Sequence, residues 1–169
     1  MDPCETPRNS IAAVHADAPA EHLFFAQYRY WMAGYATRDT FCLDCAWDVL
    51  LRFVGQDSAK VLYGEFHLFT RILSKQARRT IGWRPDICRC LCRDEYLALR
   101  LVAASQQGDL EQEIFAATDL LGADTVHALL RASRSLAQAL KGRRFVLAPI
   151  KRSQSTSVFP HAPHGHTLQ

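Results

Sequence analysis

Residues 20–54 read AEHLFFAQYRYWMAGYATRDTFCLDCAWDVLLRFV, and the periodicity of this stretch decides the fold class. In its first half Phe24, Tyr28, Trp31 and Tyr35 recur at i, i+4, i+7 and i+11, with Phe25 and Met32 beside them. That spacing gives one wide apolar face and predicts a helix over 20–36. Thr37, Arg38 and Asp39 break it, and Asp39 is placed to N-cap a second helix over 40–54. At about 100° per residue the second helix is apolar around most of its circumference, leaving only Asp44, Asp48 and Arg52 as a narrow polar strip. Such a helix is expected to be the central, most buried one.

Outward from this stretch the helical pattern continues. Gly55 ends the second helix, and a third is predicted over 57–79, with Leu62, Phe66, Phe69, Leu73 and Ala77 facing the core. Gly82 and Pro85 interrupt. A fourth helix ends near Gln107-Gly108 and starts at one of two places. From Asp86, Asp94 falls in the apolar stripe and needs a partner such as Arg29 or His67. From Arg93, the preferred start, Asp94 is an acid at the positive helix end. A fifth helix is predicted over 110–121 and a sixth over 125–141, with Gly122 as the C-cap between them. Phe145, Val146 and Leu147 read as a short extended cap. The expectation is an all-α antiparallel bundle of about six helices in one domain, 20–148. A flexible N-terminal arm over 1–19 and a disordered His/Pro-containing tail over 149–169 flank it, on the strength of their prolines and missing apolar period.

A chain of 169 residues can bury a core without staples, and an apolar half with about a fifth charged is ordinary for a globular protein. No apolar leader or span of about 18 residues is visible, so the expected location is the cytoplasm, with no membrane contact. The net charge of +3 is too small to imply nucleic-acid binding. It is unevenly placed, however. Residues 1–50 hold three Arg against seven Asp/Glu, and residues 51–100 hold ten Lys/Arg against five Asp/Glu, a swing that suits steering of a partner or self-association.

Six cysteines fall mostly into two groups, a C-x-x-C at Cys42 and Cys45 and a C-x-C-x-C at Cys88, Cys90 and Cys92. If the groups converge, their thiolates could complete a tetrahedral sulfur site for zinc, or hold an iron–sulfur cluster. Against this, Cys42 and Cys45 lie inside a helix between Phe41 and Trp47, and no common zinc module has such spacing. The preferred reading is that Cys42 fills core space, while Cys45, near Arg52, is the more accessible and reactive of the pair. No cofactor is preferred.

On the third helix His67, Arg71, Lys75 and Arg78, followed by Arg79 and Arg84, form a basic surface for an anion or an acidic partner. No glycine-rich phosphate loop, nucleophile elbow or convergent acid–base–nucleophile set is visible, so no catalytic residue is assigned. The expected function is binding, as a regulatory or accessory protein-interaction module. A thiol-ligated metal protein and a weakly basic nucleic-acid-binding regulator are the alternatives, and another protein is the expected partner.

Overall fold

The computed structural model describes residues 18–149, which form six helices and, among the described residues, no strand. They are α1 (Pro19–Thr37), α2 (Thr40–Val54), α3 (Gln56–Gln76), α4 (Arg93–Gln107), α5 (Leu110–Leu121) and α6 (His127–Lys141). Most of the expected N-terminal arm and C-terminal tail, with Cys4 and the tail histidines, lies outside the described residues.

α1 opens on a proline, whose missing N–H costs nothing in the first turn. It runs antiparallel to α2. His22 stacks on Phe53 at one end, the Gln27 amide donates to the Ala46 carbonyl at 2.8 Å in the middle, and Gly34 meets Leu43 at the other end. A Cβ on Gly34 would lie 3.0 Å from a Leu43 methyl, so the two helices approach closely there and a larger residue would make the Leu43 side chain shift. Across α3, Phe24 packs on Phe66 and Phe69, and Trp31 stacks on His67 with ring centroids 4.8 Å apart. α4 and α5 form the second antiparallel pair: Arg93 meets Asp119 near one end and Arg100 meets Gln112 nearer the other. α6 closes the bundle against α3 and α4, where the Ser105 and Ser133 hydroxyls hydrogen-bond at 2.8 Å.

The central helix is α4, not α2. Every residue from Asp94 to Ala104 is buried, whereas α2 buries only Ala46, Val49 and Leu50. α2 lies at the margin, packed chiefly against α1 and α3 and touching Phe145 through Phe53, with Trp47 and Leu51 half-buried and Phe41 67% exposed. α4 instead is packed by α1, α5 and α6. α3 ends at Gln76, three residues before its predicted end, because Ala77 turns to extended backbone. That turn lets the Arg78 N–H reach the Leu121 carbonyl at the end of α5. Beyond α6, Leu147 is buried and its N–H donates to the Gln106 side chain, while the Ala148 N–H donates to Glu21. The segment expected as an extended cap therefore docks back on the bundle, although Val146 faces outward.

Candidate functional site

The connection between α3 and α4, residues 77–92, is organised by buried charge. Arg29 of α1 and Glu95 of α4 form a forked ion pair, with Nε and Nη2 donating to the two carboxylate oxygens at 2.6 and 3.2 Å. The remaining guanidinium donors reach three carbonyls of the connection: Asp86 at 3.3 Å, Cys88 at 2.6 Å and Cys90 at 2.9 Å. Glu95 also accepts from the Arg84 and Cys92 N–H groups. A planar guanidinium with five donors in a fixed fork suits this task, and an ammonium could not replace it. Beside it, Arg79 forks onto Asp94 at 2.6 and 2.9 Å and donates to the Asp119 carbonyl, while the Gly82 N–H donates to Asp94. Asp94 thus has a partner, but it is Arg79 and not Arg29 or His67, and the helix starts at the later of the two expected places. Both acids sit in the first turn of α4, where the helix dipole favours negative charge.

The cysteines belong to this framework. Cys88, Cys90 and Cys92 precede α4 in non-helical chain whose carbonyls at 86, 88 and 90 alternate toward Arg29. Cys92 is the N-cap of α4, its sulfur facing the N3 backbone while Glu95 returns to its N–H. Burial, reinforced by the Glu95 charge, pushes the Cys92 thiol up to about 11, so it stays protonated at neutral pH. Cys42 and Cys45 are both half-buried, so the structure does not separate them as expected. Nor is Cys45 activated by Arg52. Burial first, then Cys42, Asp48, Asp44 and Asp86, push its thiol upward. The sequence shows Arg52 one turn beyond Asp48, but Arg52 spends its Nε on the Asp48 carbonyl. Among the described residues no group of three or more His, Cys, Asp and Glu side chains is placed to hold a metal ion.

The predicted basic surface divides. His67 is stacked against Trp31, Arg79 is bound to Asp94, and Arg84 lies half-buried with its N–H on Glu95. Arg71, Lys75 and Arg78 remain exposed. Two of them share their helix face with apolar residues that sequence reasoning passed over. Val61 is 45% and Leu68 46% exposed, and they fall with Asp57, Lys60, Gly64, Arg71 and Lys75 within an arc of about 100° on α3, three cations against one acid. Gly64, on the same arc, has open space around its Cα. A helical wheel could have found this face, since Val61 and Leu68 lie well off the stripe of Leu62, Phe66, Phe69 and Leu73. A second exposed apolar group lies on α5, at Leu110, Ile114 and Phe115.

Among the described residues no helix is long and apolar enough to cross a membrane. Comparison of the chain with protein-family models, with curated proteins and with solved structures finds no match.

Proposed function

We propose that this protein acts in the cytoplasm by binding another protein, and that the outer face of α3 is the contact surface. One observation carries the reading: Val61 and Leu68 stand exposed on the same arc as Lys60, Arg71 and Lys75. Water-exposed apolar side chains beside a row of cations are ingredients of a protein interface. The cations select an acidic partner and speed its approach, while burial of Val61 and Leu68 supplies affinity. The rigid backing of α3 by Phe66, Phe69 and Leu73 keeps the face pre-formed. A thiol-ligated metal is the weaker reading, because Cys92 is already used as a cap and no ligand group is assembled among the described residues. A nucleic-acid surface is weaker too, because Arg79 is spent on Asp94 and Arg84 is half-buried.

The test compares proteins co-purifying with the wild-type chain, with Leu68→Asp and with the double variant Arg71→Glu/Lys75→Glu. Both variants should lose the same partners while keeping unfolding free energy within about 1 kcal/mol of wild type, since all three side chains are exposed. Recovery of the same partners by both variants would remove α3 as the contact surface.

A further inference from the structure

We draw no further inference here: the strongest candidate, the outward-facing apolar patch of Leu110, Ile114 and Phe115 on α5, carries nothing because nothing in the structure shows what covers it.

Discussion

α2 and α4 are each fifteen residues long, and they exchange the roles their compositions suggest. α2 is apolar nearly all round, yet it lies at the edge of the bundle with Phe41 and Phe53 exposed. α4 carries Arg93, Asp94, Glu95 and Arg100, yet it is buried without interruption from Asp94 to Ala104. The difference lies in partners. Asp94 and Glu95 each meet an arginine from elsewhere in the chain, and the Arg100 side chain meets Gln112 and the Phe115 ring. A charge that is forked, hydrogen-bonded and placed at the favourable helix end can be taken into a core. An apolar side chain has no comparable claim on a central place, because a small protein always leaves apolar surface outside.

The strongest way to break this comparison is to remove one buried partner. Arg29→Met should cost about 3–5 kcal/mol, because it leaves Glu95 buried without its cation. The double variant Arg29→Met/Glu95→Leu should recover only part of that loss. The carbonyls of Asp86, Cys88 and Cys90 lose their donor, and the N–H groups of Arg84 and Cys92 lose their acceptor. Urea denaturation of the three variants gives the coupling. Full recovery in the double variant would mean that the pair is incidental to the α3–α4 connection.

Truncation of apolar side chains sharpens the same contrast. Leu101→Ala in α4 should cost about 2–5 kcal/mol, the range for a cavity in a closed core. Leu51→Ala in α2 should cost about 1 kcal/mol, since Leu51 is half-buried and water can reach the gap. Equal losses would place α2 in the core after all.

A smaller effect concerns the α5–α6 side of α4. Burial pushes the Glu113 carboxyl up, but hydrogen bonds from Arg134 and Ser105 and the Arg134 charge outweigh it, so Glu113 titrates below its ordinary range. The folded value is the lower one, so the pair's contribution is complete above about pH 4.3 and is lost as pH falls through the folded value. Arg134→Ala should flatten this part of the acid-unfolding curve by no more than about 1 kcal/mol, because Arg134 is half in solvent. An unchanged acid limb would remove the pair from the account. The smallest effect is expected at Phe41→Ser, within about 0.5 kcal/mol of wild type, because that ring makes little contact.

Helix positions were legible in the chain. Asp39 caps α2 through the Phe41 N–H, and Gly108 and Gly122 close α4 and α5 in left-handed conformation, as their sequence contexts indicate. Burial rank was not legible, since it depends on which helices surround which, and α4 gains its place through contacts with α1, α5 and α6. The Arg29–Glu95 pair joins residues far apart in sequence, and no local spacing announces it. The basic surface was half legible: charges on α3 could be counted, but only the fold shows that Arg79 turns inward to Asp94 while Arg71 and Lys75 stay out.

Native-state hydrogen exchange tests the exchange of roles most directly, because it ranks helices by the free energy needed to expose them. The amides of Ala98 to Gln107 in α4 should exchange only through global unfolding, and those of Ala46 to Val54 in α2 should exchange faster through local opening. Slowest exchange in α2, with α4 opening first, would contradict the account of a core centred on a helix whose charges are paired.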